Sequence, residues 1–244
     1  MSRAIIPIAV ELLLGLMLLG AGLAVTAALV PLNESGVGLS LALYGLMAFL
    51  IWRAWRPGQG AFGWPNRVTL LRGLLLAWLV SWVTFPNWLS AGAWTIVIVV
   101  FGILILDGID GFLARRLDQS TGFGARFDME VDAALIMLLC VLIVQAELAG
   151  PWVLLIGLLR YGFVLAAVLV PRLSRALPDS RRRKIICVWQ IASLILAFVP
   201  GISAWLIVST LALALGLLIF SFALDVRWLL RRHPGASTIE RSTP

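Results

Sequence analysis

Apolar runs of about twenty residues recur along nearly the whole chain, and that pattern leaves few folds open. Lipid offers the backbone no hydrogen-bond partner, so a segment that crosses it must satisfy its own N–H and C=O groups as a helix. Eight such runs can be read: Ile5–Val30, Gly38–Trp55, Val68–Trp82, Ser90–Leu106, Ala125–Gln145, Pro151–Val170, Ile185–Val199 and Ser203–Leu224. Turn-rich breaks at Pro31–Gly36, Pro57–Gly60, Phe85–Asn87 and Pro200–Gly201 separate several of them. The expectation is an all-α integral membrane protein of about eight transmembrane helices. Charged residues make up 13% of the chain, against roughly a quarter in soluble domains, so composition points the same way.

The formal net charge of +7 would suggest nucleic acid in a polar protein. In a chain this apolar, basic residues instead mark the cytosolic faces of membrane loops, and no nucleic-acid partner is expected. Lys and Arg fall in or beside alternate connections: Arg3; Arg53, Arg56, Arg67 and Arg72; Arg115, Arg116 and Arg126; Arg172 to Lys184; and Arg227 onwards. The connections near Glu34, Pro86, Glu147 and Pro200 carry none. Both termini are therefore expected in the cytosol, as an even number of spans also requires. The first run could be a cleaved signal peptide, but it is longer than a signal core and Glu11 interrupts it, so a retained helix is expected. Glu11 itself reads either as a functional buried acid or as a polar contact with a neighbouring helix.

Several chemistries are excluded early. The two cysteines, Cys140 and Cys187, lie in or beside apolar runs and offer neither a disulfide framework nor a thiolate zinc site. The single histidine, His233, sits in the polar tail, so a buried His base has no candidate. Trp52, Trp55, Trp64, Trp82, Trp88 and Trp94 cluster near span ends and read as interfacial anchors. Arg160 stands deep inside an apolar span, where it either faces a polar cavity or snorkels to the interface.

The chemistry-bearing segment lies between the fourth and fifth runs. Asp107 and Asp110 are three residues apart and Asp128 and Asp132 four, so each pair shares one helix face. A turn between the pairs would bring four carboxylates together at the cytosolic edge of the membrane. Four packed anions repel strongly and call for compensation by hard divalent cations such as Mg2+ or Mn2+. Two such ions can clamp the oxygens of a pyrophosphate. Gly108 and Gly111 clear side chains from beside the acids, and Arg115 supplies a fixed charge suited to phosphate. An acidic loop that merely solvates helix ends would require neither the glycines nor the Ala114-Arg115 pair.

The segment reads D-x2-D-G-x2-A-R-x8-G-x3-D-x3-D over residues 107–132, and this resembles the signature of the CDP-alcohol phosphatidyltransferases at every fixed position. Upstream, Asn66, Thr69 and Arg72 after Pro65 look like the Asn/Thr/Arg element that precedes the signature in many members. Downstream, Lys184, Cys187 and Gln190 are only loosely similar to a Lys/Thr/Gln element, with cysteine where threonine is frequent.

The resemblance implies a six-helix catalytic core over residues 65–226, two additional N-terminal helices in 1–64 and a polar cytosolic tail over 227–244. It implies that Asp107, Asp110, Asp128 and Asp132 hold two Mg2+ or Mn2+ ions, with Asp132 also the general base. Asn66, Thr69, Arg72, Gly111, Ala114, Arg115 and Gly124 would bind the CDP or CMP moiety. The implied reaction moves a phosphatidyl group from CDP-diacylglycerol to a small alcohol and releases CMP. Members are commonly homodimers, and a plasma (inner) membrane location with a cytosolic active site is expected. Arg160, Arg183 and Lys184 are candidates for an anionic acceptor such as glycerol 3-phosphate, with inositol phosphate, serine and choline as alternatives. A membrane prenyltransferase is disfavoured because its two acidic motifs usually lie in separate halves of the chain. A transporter is disfavoured because the acids cluster at one edge and no inverted repeat is evident.

Overall fold

The computed structural model describes residues 5–30, 32–55, 62–84, 88–119, 121–170 and 180–231. These form α1 (Ile5–Leu29), α2 (Glu34–Ala54), α3 (Trp64–Val80), α4 (Trp88–Arg116), α5 (Gly122–Gln145), α6 (Leu154–Leu169), α7 (Arg181–Leu196) and α8 (Ala204–Arg231). Short 3-10 turns follow α3 and precede α6, and no strand occurs among the described residues. The breaks at Pro57–Gly60 and Phe85–Asn87, together with Arg3, Arg56, Arg172, Arg175 and His233, lie outside the described residues.

Each predicted run coincides with one helix, and two helices outlast their runs. The fourth run stops at Leu106, but α4 continues to Arg116 and carries the whole first half of the acidic motif on helix. The eighth stops at Leu224, but α8 runs on to Arg231, so the first part of the expected tail is helical. Apolar periodicity ends where charge begins, whereas the helix ends only where the backbone turns.

Six of the helices are long and apolar enough to cross a membrane: α1, α2, α3 with its following turn, α4, α6 with its preceding turn, and α8. The other two fall short for local reasons. The first half of α5 carries Arg126, Asp128, Glu130 and Asp132. α7 opens on Arg181–Lys184, and its 16 residues reach only about 24 Å against a hydrocarbon core of about 30 Å. The protein is a multi-pass, all-α membrane protein, in which α5 is largely enclosed by its neighbours.

Burial runs opposite to that of a soluble bundle. Met17, Val168 and Trp205 are among many large apolar side chains turned outward, as lipid-facing surfaces require. α3 is the central helix and packs against α1, α2, α4 and α5. One apolar core joins α3, α4, α5, α6, α7 and α8; a second joins α1 and α2 to α3 and α5. The tryptophans divide accordingly. Trp52, Trp64 and Trp94 are exposed, as anchors should be, but Trp55 and Trp82 are buried in the two cores. This corrects the reading of all of them as interfacial anchors: their position near a helix end did not reveal which way the ring points.

Contacts between helix ends align the bundle. Glu11 near the start of α1 pairs with Arg67 near the start of α3, and Arg182 at the start of α7 pairs with Asp225 near the end of α8. The basic helix ends thus meet at the end of the bundle that carries the acidic motif.

Candidate active site

Two helix ends and the turn between them build the site. α4 closes on a left-handed residue, Asp118 at φ 51, with the Gln119 N–H donating back to the Ala114 carbonyl at 3.1 Å. This closure satisfies the last carbonyls of the helix, and aspartate is one of the few residues that tolerate such a backbone. Thr121 then caps α5, its hydroxyl accepting the Gly124 N–H at 2.9 Å. Between the end of α4 and the start of α5 the chain reverses, which sets the acidic face of α4 beside that of α5.

Oxygens of Asp107, Asp110 and Asp128 lie within 4.8 Å of one another. Asp132 joins them through Arg72 on α3. The Arg72 guanidinium bridges all four carboxylates: Nη1 lies 2.8 Å from Asp110 Oδ2 and also donates to Asp128, while Nη2 lies 2.8 Å from Asp107 Oδ1 and also donates to Asp132. Its side chain is 0% exposed. Thr69, one turn earlier on α3, donates to Asp110 Oδ2 at 3.0 Å. A planar, always-charged fork suits such multiple carboxylate contacts.

The donor set fits hard divalent cations. All the ligand atoms are carboxylate oxygens, three already lie close enough to share an ion, and the single charge of Arg72 offsets only one of four negative charges.

A cleft opens beside the acids, lined by Pro65, Asn66 and Thr69 of α3, Asp110, Gly111 and Ala114 of α4, Gln119 and Thr121 of the turn, and Gly124, Ala125 and Asp128 of α5. Two glycines shape it. A Cβ at Gly124 would lie 2.7 Å from Asn66 Oδ1, so this position must be bare for the amide to sit where it does. A Cβ at Gly111 would meet the Arg115 guanidinium at 3.5 Å, which places that charge over the bare helix surface. Around Gly108 there is open space. Asn66 is held by its own helix end, its Nδ2 donating to the Phe62 carbonyl at 2.5 Å.

Most of the residues expected to meet the nucleotide therefore meet in one cleft: Asn66, Thr69, Gly111, Ala114 and Gly124 line it and Arg115 stands beside it. Arg72 is different. Wholly buried, it is a partner of the aspartates and not a wall of the cleft, because its fork is consumed by four carboxylates. The candidate acceptor residues are held from different helices. Arg160 pairs with Glu130 of α5 at 3.0 Å, Arg183 with Asp225 of α8 at 3.5 Å, and Lys184 is exposed. Cys187 is exposed and Gln190 buried on α7, which packs against α5.

Sequence reasoning missed Gln119 and Thr121. Gln119 Oε1 accepts the Trp64 N–H at 3.2 Å and so ties the turn to the start of α3. The capping pattern of a Thr three residues before Gly124 was a usable signal for Thr121; Gln119 carried none.

The CDP-alcohol phosphatidyltransferase profile matches residues 62–218, well over half of the chain. The chain belongs to this family. The matched region begins after α2 and takes in the acidic motif, the Asn/Thr/Arg element and most of α8, so α1 and α2 lie outside it. Among curated proteins, the chain is 38% identical over 82 residues to a Pseudomonas fluorescens protein named CDP-diacylglycerol--glycerol-3-phosphate 3-phosphatidyltransferase, covering 33% of this chain and 40% of that one. Proteins of the same name from Salmonella choleraesuis (strain SC-B67) and Escherichia coli (strain K12) are 39% and 36% identical over 85 and 84 residues, each match covering 34% of this chain and 45% of the relative. The chain thus spans less than half the length of these relatives. No solved structure matches the chain.

Proposed function

We propose that this protein is a metal-dependent phosphatidyltransferase of phospholipid biosynthesis that moves the phosphatidyl group of CDP-diacylglycerol to glycerol 3-phosphate and releases CMP. One observation carries the reading: the carboxylates of Asp107, Asp110 and Asp128 converge within 4.8 Å, and two of them, Asp110 and Asp128, line the same cleft as Asn66, Thr69, Gly111, Ala114 and Gly124. The family match supports the reaction class, and the names of the relatives support the acceptor.

Asp107, Asp110, Asp128 and Asp132 would hold two Mg2+ or Mn2+ ions, whose chemistry is to neutralise pyrophosphate oxygens. Asn66 and Thr69, with the bare surface of Gly111, Ala114 and Gly124, would bind and orient the nucleotide, and Arg115 would sit against its phosphate. Asp132 takes the proton of the acceptor hydroxyl. The hydroxyl oxygen bonds to the lipid-side phosphorus, the bond from that phosphorus to the CMP oxygen breaks, and CMP leaves with the electron pair. Arg72 keeps the four acids together throughout, because like charges held this close repel without a counter-charge. Arg160, Arg183 and Lys184 supply cationic groups for a phosphorylated acceptor. The site would face the cytosol of a bacterial plasma membrane, with both termini on that side, and the protein would act as a homodimer.

The test is CMP release by purified protein given CDP-diacylglycerol and Mg2+ or Mn2+ with glycerol 3-phosphate, inositol phosphate, serine or choline. Release dependent on glycerol 3-phosphate supports the proposal. Release with another acceptor corrects the substrate, and no release by folded protein with any of them removes the reading.

A further inference from the structure

Glu11 belongs to α1, outside the region that the family match covers, yet it pairs with Arg67, the residue that follows Asn66 of the cleft. Its Oε1 accepts from Arg67 Nε at 2.8 Å and from Nη2 at 2.5 Å. The Arg67 guanidinium also lies over the Trp64 ring, 5.0 Å from its centroid. Arg67 is thus gripped from two sides, and it follows directly on Asn66, whose carboxamide stands against Gly124. The first turn of α3 supplies Pro65 and Asn66 to the cleft, so whatever holds Arg67 holds that wall.

A contact from α2 acts lower on α3. A Cβ at Gly73 would meet Met47 Sδ at 2.5 Å and Val131 Cγ2 at 3.9 Å. Met47 of α2 therefore fills a notch between the residue after Arg72 and the residue before Asp132. Trp55, at the end of α2, packs on Phe62 and Phe123, whose neighbours in the chain are Gly63 and Gly124.

We infer that α1 and α2 are a working part of the nucleotide site and that Glu11 is a positioning residue for it, holding Arg67 and thereby the Asn66 wall in the geometry that binds the cytidine phosphate. The inference rests on the proposed reaction but concerns residues outside the family match. An ion pair that shapes the cleft in both the ground state and the transition state contributes uniform binding, so its loss raises KM and spares kcat.

The experiment compares Glu11→Gln, Glu11→Asp and Thr26→Val in the full-length protein. Thr26 accepts the Trp78 indole N–H at 2.8 Å, which ties the same two helices together away from the cleft. Four quantities are read: KM and kcat for CMP release, the CDP dissociation constant by calorimetry with Mn2+, and the melting temperature without nucleotide. Glu11→Gln is expected to raise KM and the CDP dissociation constant about tenfold with kcat within about twofold, and Glu11→Asp to recover most of the loss. Thr26→Val is expected to lower the melting temperature without moving KM. Equal KM and CDP affinity in wild type and Glu11→Gln, or the same KM change in Thr26→Val, would overturn the inference. Wild-type protein that neither binds CDP nor releases CMP would instead remove the proposed reaction, and the inference with it.

Discussion

Arg72 and Asp110 lie 38 residues apart in the chain and form the most deeply buried ion pair described, 2.8 Å long, with side chains 0% and 6% exposed. Arg72 extends the same fork to Asp107, Asp128 and Asp132, so one cation from α3 organises both halves of a motif carried by α4 and α5.

Removing that cation should therefore damage the fold as well as the site. Arg72→Met leaves the buried Asp110 carboxylate without its cationic partner, a change that costs about 3–5 kcal/mol in comparable buried pairs. The variant should melt well below wild type in detergent, and millimolar Mn2+ should recover part of the loss by replacing the missing charge. Arg72→Lys should melt closer to wild type but turn over slowly, because an ammonium cannot bridge four carboxylates as a fork does. Melting curves with and without Mn2+ check both outcomes.

Asp132→Asn should separate chemistry from folding. Asp132 is 41% exposed on its side chain and touches the cluster through Arg72, so an isosteric amide should leave the melting temperature within a few degrees. If it is the general base, CMP release should fall by about 10²–10⁴-fold. A rate near wild type would move the base elsewhere.

Gly124→Ala should weaken nucleotide binding without unfolding the protein. The added methyl would stand 2.7 Å from Asn66 Oδ1 and 3.1 Å from Thr121 Oγ1, so the amide must swing out of the cleft wall. CDP affinity measured by calorimetry should drop about tenfold or more.

Chelation should act on stability as well as on rate. With four carboxylates and one guanidinium, removal of divalent ions by EDTA should abolish CMP release and lower the melting temperature, and Mg2+ or Mn2+ should restore both. A melting temperature indifferent to EDTA would argue against ions held at the aspartates.

Much of this was legible in the chain. The spacing of Asp107, Asp110, Asp128 and Asp132 is a statement about helix faces, and it held because α4 and α5 carry those residues on regular helix. Gly124 and Gly111 were readable as bare positions, and the structure adds what each makes room for. Less visible was the choice between core and lipid. Trp55 and Trp82 look like Trp52 and Trp94 in the chain, yet the first two are buried and the last two exposed.

The sequence by itself determined the helices and the two acidic pairs, because these follow from local periodicity and from charge along the chain. Only the tertiary structure decided that Arg72 sits among the four aspartates, that Glu11 grips Arg67 and that α3 is the central helix. The reason is physical. Lipid tails are as apolar as leucine, so hydrophobicity does not distinguish a face that meets another helix from one that meets the bilayer. Partners 35 to 60 residues apart are chosen by the rotation and tilt at which whole helices pack, and no local pattern records those angles.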